Sequence, residues 1–318
     1  MKKYLIWKFL LFVGFTSTIS LPFIAASCKT TETDNIAKFS DNKFETNFTK
    51  NHLMEYYSLL NNKSGDDLLK ALLKTQHNNA QKIPVAQYNK NVKAKDLNLA
   101  YLDKFFEKDK NTIVDIYSEN PTGTDPYNFS KNDRMGSGKR EGETYNREHV
   151  VPKSWYGYTK QQILNIASDM QAIWPTDSKV NSERGNMPYG EVVSVDETFQ
   201  NGSRIGKDKN GNRVFEPIDA FKGDVARVYF YFAVTYSDKL KNLADGSKVF
   251  EKENVYPYLK SDYLELMIKW SKMDPIDDFE LYKNNTIWNI KHWTRNPFID
   301  FPNLYKILKN KDSVRFKK

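Results

Sequence analysis

The stretch Tyr145-Asn-Arg-Glu-His-Val-Val-Pro-Lys-Ser-Trp155 reads as a short strand over residues 145–151 that stops at Pro152, because proline has no N–H to give a ladder. Further along, Thr176-Asp-Ser-Lys-Val-Asn-Ser-Glu-Arg184 has a capping candidate at Thr176 and a breaker at Gly185, and reads as a short helix bounded at both ends. Outward from this strand and helix the chain predicts mostly helix. Leu53, Tyr56, Tyr57 and Leu60, then Leu68, Leu69, Leu72 and Leu73, have helical spacing within residues 44–77. Residues 78–95 are polar and predict a loop; residues 97–106 predict a short helix. The β-branched run 112–117 predicts a strand, and 119–143, rich in Gly, Asn, Ser and charge, a long loop. Residues 160–169 predict a helix and the glycines of 202–213 a hairpin or loop. The strongest helix is 219–240, with Val225, Val228, Tyr229, Phe232 and Ala233 on one face. Two more helices follow over 262–273 and 277–292. Helices, a few short strands, then helices again give an α+β, mainly helical chain without βαβ alternation. There is no internal repeat and no Gly-rich phosphate loop.

Composition excludes wholesale disorder: 39% of the 318 residues are hydrophobic and 14% aromatic. Lys and Arg total 48 against 40 acids, a net charge of +8 that suits a polyanion or an anionic surface. Three of those lysines, Lys2, Lys3 and Lys8, lie in a leader. Its basic head, apolar run to Ile24 and small residues Ala25-Ala26-Ser27 form a secretory signal, and the Cys28 that follows resembles a bacterial lipoprotein box. Residues 1–27 are therefore expected to be a lipoprotein signal peptide, Cys28 the lipidated residue, and polar residues 28–43 a flexible tether to a domain over 44–318. Cys28 is the only cysteine, so an intramolecular disulfide, a Cys-based zinc site and a cysteine nucleophile in the mature domain are all excluded.

Of four histidines, His52 and His77 lie in polar surroundings and are expected at the surface. His149 differs. Glu148 adjoins it, and Arg147 and Lys153 flank it. A metal-assisted phosphodiester hydrolase needs a carboxylate to hold a hard cation, an imidazole to activate water and cations to offset phosphate charge. Adjacent residues of a regular strand point to opposite faces, however, so Glu148 and His149 can share a site only at a bulge or a strand end. From spacing alone, the favoured reading is structural: Glu148 paired with Arg147 or Lys153, and His149 merely half-buried.

Four blocks, in order, resemble the bacterial endonuclease I family of secreted nucleases. They are Asn146-Arg-Glu-His-Val-Val-Pro-Lys-Ser-Trp155; Asp169-Met-Gln-Ala-Ile-Trp-Pro-Thr-Asp-Ser-Lys-Val-Asn-Ser-Glu-Arg-Gly-Asn186; Phe215-Glu-Pro217 with Lys222-Gly-Asp-Val-Ala-Arg227; and Arg295-Asn-Pro-Phe-Ile-Asp300. The resemblance is clearest over residues 114–308. It implies a small ββα-metal core in which His149 is the general base and Glu148 and Asn181 hold a magnesium ion, with manganese or calcium as substitutes. Asn186 is the alternative to Asn181, disfavoured because Gly185 should end the helix first. Arg184, three residues after Asn181, either reaches phosphate or pairs with an acid; Arg147 is open in the same way. Arg227 is a further phosphate-binding candidate, against an ion pair with Asp224. Arg295 and His292 are expected to be structural or at the edge of a groove. The resemblance implies hydrolysis of DNA, with RNA as a further substrate, to 5′-phosphate products at the outer cell surface. The alternative is a surface lipoprotein that binds nucleic acid or host molecules without cutting, which would have no need of Glu148-His149 and Asn181.

Overall fold

The computed structural model describes residues 36–37, 50–86, 88–107, 111–156, 165–239 and 245–317. The described residues all belong to one compact unit, Asn35–Lys318. The expected signal peptide and Cys28 lie outside the described residues, as does most of the tether. Within the expected tether, Ile36–Ala37 (β1) pairs in parallel with Arg315–Phe316 near the other end of the chain. No helix among the described residues is long and apolar enough to cross a membrane.

The N-terminal region is helical: α1 (Lys50–Tyr56), α2 (Gly65–Ala80), α3 (Tyr88–Asn91) and α4 (Ala94–Ala100). Asp66 and Asp67 lie in the first turn of α2, where the helix dipole favours acids, and Leu68, Leu69 and Leu72 form its buried stripe. The expected loop over 78–95 is thus shorter than its polarity suggests, since α3 and the start of α4 fall inside it.

The expected strand over 112–117 is only Thr112–Ile113 (β2), antiparallel to Phe129–Ser130 (β3) inside the expected long loop. Asp115 ends it: its side chain accepts from Tyr117 N at 2.9 Å, and its carbonyl accepts from Ser118 and Glu119. Such local bonds compete with a ladder.

Tyr145–His149 (β4) pairs antiparallel with Ile173–Asp177 (β5), Tyr145 opposite Asp177 and His149 opposite Ile173. Between them, Ile166–Ser168 is a 3₁₀ turn; the first residues of the helix expected over 160–169 lie outside the described residues. The chain turns from β5 straight into α5 (Ser178–Arg184). Asp177, not Thr176, caps it, accepting from Lys179 N and Val180 N at 2.8 and 2.9 Å. Thr176 is instead held in the ladder opposite Asn146. Gly185 ends α5 at φ +55°, a conformation that favours glycine.

The hairpin expected over 202–213 is there, joined by a third strand: Ser194–Thr198 (β6), Arg204–Lys207 (β7) and Arg213–Glu216 (β8) form an antiparallel meander. Then come α6 (Lys222–Thr235), α7 (Ser261–Met273) and α8 (Asp278–Lys291). Every residue of α6 is buried, not one face alone. It packs against α7 and α2 and is the axis of the core. Short helices Pro297–Asp300 and Lys306–Lys309 close the fold, which is α+β as expected.

Candidate active site

β4, β5 and α5 bring together the residues singled out by the sequence. Asn146, Arg147, Glu148, His149, Lys153, Asn181 and Asn186 all line one open pocket. The difficulty with adjacent residues is met by a strand end: the β4–β5 register runs without a bulge, and His149 is the last residue of β4.

Arg184 holds that end. Its guanidinium pairs with Glu148 Oε1 and donates to the carbonyls of His149 (3.0 Å) and Val150 (2.9 Å). It is 1% exposed and lies over the Tyr189 ring, 4.4 Å from the centroid. Of the two readings left open for Arg184, the structure shows the acid pair. Burial pushes the Glu148 carboxyl up to about 7, against the pull of Arg184. Arg184 occupies one carboxylate oxygen, which leaves Oε2 as a possible ligand atom.

Asn181 donates from Nδ2 to Asn146 Oδ1 at 2.7 Å. With its nitrogen committed, Oδ1 is the atom it can offer a ligand. Asn146 had no role assigned from the sequence, but strand alternation places it on the same side as Glu148, two residues on, and that periodicity could have found it. A carboxylate and an amide oxygen are hard donors that suit magnesium, manganese or calcium and are poor for zinc. The residues present therefore fit a divalent cation.

His149 Nε2 is 3.0 Å from the Ala167 carbonyl. A carbonyl only accepts, so Nε2 carries the proton and the neutral ring has its basic lone pair on Nδ1. Burial, then the nearby Lys153 charge, push His149 down to about 3, so the ring is neutral at physiological pH. The Ala167 carbonyl was not foreseeable, since it comes from the segment between β4 and β5.

The remaining expectations fare differently. Arg147 lines the pocket while its guanidinium donates to Val92 O at 2.8 and 3.0 Å. Arg227 is not brought to the pocket: it is 3% exposed, bonded to Glu280 and to the Asp274 carbonyl, with Asp224 at 4.0 Å. That placement corrects the phosphate-binding expectation for Arg227. Arg295 is structural, buried on Asp300 and Asn285. His292 caps α8 in the left-handed conformation against Trp288. His52 is exposed as expected, whereas His77 is partly buried, 3.2 Å from Ser237 Oγ and 3.6 Å from Asp238.

A family model described as Endonuclease I matches residues 68–303. The chain belongs to the endonuclease I family. The match begins at Leu68, so most of α2 and all of α3 and α4, for which the sequence suggested no role, belong to the family region. An extracellular ribonuclease of Bacillus amyloliquefaciens is 35% identical over 164 residues, covering 50% of this chain and 51% of that protein. The extracellular ribonuclease of Bacillus subtilis (strain 168) is 36% identical over 166 residues, again 50% and 51%. Endonuclease-1 of Buchnera aphidicola subsp. Baizongia pistaciae is 25% identical over 166 residues, 48% of this endonuclease I family chain and 60% of the relative. The chain spans about half the length of the first two relatives.

Proposed function

We propose that this protein is a metal-dependent nuclease that hydrolyses phosphodiester bonds of DNA and RNA with little regard to sequence. The observation that carries the reading is that Glu148, His149 and Asn181 line one open pocket on a strand–strand–helix unit, in a chain of the endonuclease I family. RNA takes equal place with DNA because the relatives at 35% and 36% identity are named ribonucleases, while those named Endonuclease-1 stand at 25%.

Glu148 and Asn181 would hold a divalent cation, magnesium first, through carboxylate and amide oxygens. Such a cation supplies Lewis-acid stabilisation of charge on the phosphate and the leaving 3′-oxygen. His149 takes a proton from water at Nδ1, and that water attacks phosphorus to leave a 5′-phosphate. The Ala167 carbonyl keeps the ring in the tautomer this step requires. Asn146 keeps the Asn181 oxygen turned to the pocket. Lys153 and Arg147 give the pocket a positive rim that attracts the backbone, and backbone contacts carry no sequence information. The leader and the names of the relatives support an extracellular location, with Cys28 as the lipid anchor; radioactive palmitate should label the wild type and not Cys28→Ala.

The deciding experiment is digestion of plasmid DNA and of ribosomal RNA by the mature protein, with excess EDTA and then with added magnesium. Cleavage should vanish and return. Full activity in EDTA, or cleavage by His149→Ala at the wild-type rate, would end the reading.

A further inference from the structure

We propose that Asp103, Glu107 and Glu119, with Asp125 beside them, form a second cation site that takes calcium and ties the loop after α4 to the loop that follows β2. None of the four lines the pocket of His149. One carboxylate oxygen from each of Asp103, Glu107 and Glu119 lies within 4.8 Å of the others. The segments are preset for this. Asp103 accepts from the N–H groups of Phe105, Phe106 and Glu107 at 3.1–3.3 Å, which curls residues 103–107 back on themselves. Asp125 Oδ1 accepts from Asn120 N at 2.7 Å and draws its loop in beside Glu119.

A second observation points to a ligand. Four glutamates are buried among the described residues: Glu119, Glu148, Glu216 and Glu280. Glu148 pairs with Arg184, Glu280 with Arg227, and Glu216 with Arg204 and Lys222. Glu119, 1% exposed, has no such partner among the described residues, and its Oε1 makes no hydrogen bond. Asp125 Oδ2 is also buried and unbonded. A buried carboxylate is costly unless a charge or a proton answers it. A cluster of this kind therefore holds protons or a cation. Three features favour the cation. The donors that converge are all carboxylate oxygens, from three side chains. Glu107 is exposed and gives a route in from solvent. Calcium accepts six to eight oxygens in flexible geometry, whereas magnesium keeps its waters and zinc prefers nitrogen and sulfur.

The test is calcium-dependent melting, which does not depend on nuclease activity. Asn181→Ala is the background, so that the pocket around His149 does not contribute. With calcium at about 1–10 mM, tenfold over a Kd of order 10⁻⁴–10⁻³ M, Tm should rise by about 2–4 °C, and calorimetric titration should give one site. Adding Glu119→Gln should abolish both signals. Adding Glu107→Gln, at an exposed position that leaves the core intact, should weaken calcium at least tenfold. No calcium-dependent shift in the Asn181→Ala protein, or an unchanged shift after Glu107→Gln, would overturn the site and leave a proton-sharing cluster in its place.

Discussion

Two buried arginine–glutamate pairs stand among the described residues, and they are chemically alike. Arg184 holds Glu148 at the end of β4, and Arg227 holds Glu280 between α6 and α8, with Nε to Oε1 at 2.8 Å. Each glutamate is 1% exposed or less, and burial pushes each up to about 7. Their surroundings differ. Glu280 shares the core with Asp224, Asp274 and Lys283, and the Asp224–Lys283 bond of 2.9 Å helps to seal that network. Glu148 has His149 next to it in sequence and lines, with Asn181, a pocket that opens to solvent. Buried charge and a shifted pKa are therefore common to scaffold and site. What separates them is a hard donor set with a neutral base on a surface that a polyanion can reach.

The largest effect that would break this contrast is expected at His149. General-base catalysis typically contributes about 10²–10⁴ in rate, so His149→Ala should lose at least that much hydrolysis while keeping its fold and its salt-dependent affinity for DNA. Cleavage and binding measured on the same folded preparation check this. No substitution around Glu280 should separate cleavage from folding in that way.

Breaking either pair should act on stability. Removing one partner leaves an uncompensated buried charge, which costs about 3–5 kcal/mol. Arg184→Ala and Arg227→Ala should both melt far below the wild type in denaturant titration. The contrast sharpens in Glu148→Gln and Glu280→Gln, which keep shape and lose charge. The first should lose metal-dependent cleavage; the second should retain it per folded molecule.

Asn146→Ala is a milder test of the pocket. Asn146 lines the pocket, and its proposed role is to orient Asn181, from which it accepts at 2.7 Å. Losing a partner of that kind typically weakens a metal site about 10–100-fold. The magnesium concentration for half-maximal activity should rise by that factor, and saturating magnesium should restore the rate. A rate that no magnesium concentration restores would place Asn146 elsewhere in the mechanism.

The contrast also explains what could be read in advance. The ββα unit was legible because its signals are local: a strand stopped by Pro152, a helix closed by Gly185, and a base, a carboxylate and an amide at family spacing. The cap moved by one residue, since Thr176 is held in the ladder, and the strand ends at His149, two residues before the expected Val151. The core of α6 was not legible. Its polar residues Asp224 and Arg227 look solvent-facing until Lys283 and Glu280, more than fifty positions away, arrive to pair with them. Arg227 drew a functional reading for the same reason, because its block resembles the family and resemblance does not separate scaffold from chemistry. Asp103, Glu107 and Glu119 come from two loops and show no diagnostic spacing, so only the fold reveals them.

The smallest expected effect is a pH dependence set by the sealed region. Asp274 and Glu280 are raised to about 8 and 7, in each case first by burial; Asp224 adds to the rise and Arg227 opposes it. Asp277, at the start of α8, is raised to about 6. In the unfolded chain such groups titrate near 4. Between about pH 4 and pH 8 the folded state therefore binds more protons than the unfolded state, and stability falls as pH rises. The contribution is fully present below the unfolded pKa and is lost as pH passes the folded value. Melting should occur at a lower temperature at pH 8 than at pH 5.5, by about 2–4 °C for each kcal/mol lost. Asp274 is the place to test the assignment, because its carboxylate accepts from Gly223 N at 2.8 Å, a bond that the oxygen of an amide can replace. Asp274→Asn should flatten the slope without abolishing cleavage. An unchanged slope would mean that the acids around Arg227 are answered by charge over the whole range and that the slope comes from other acids raised by burial, Glu148 among them.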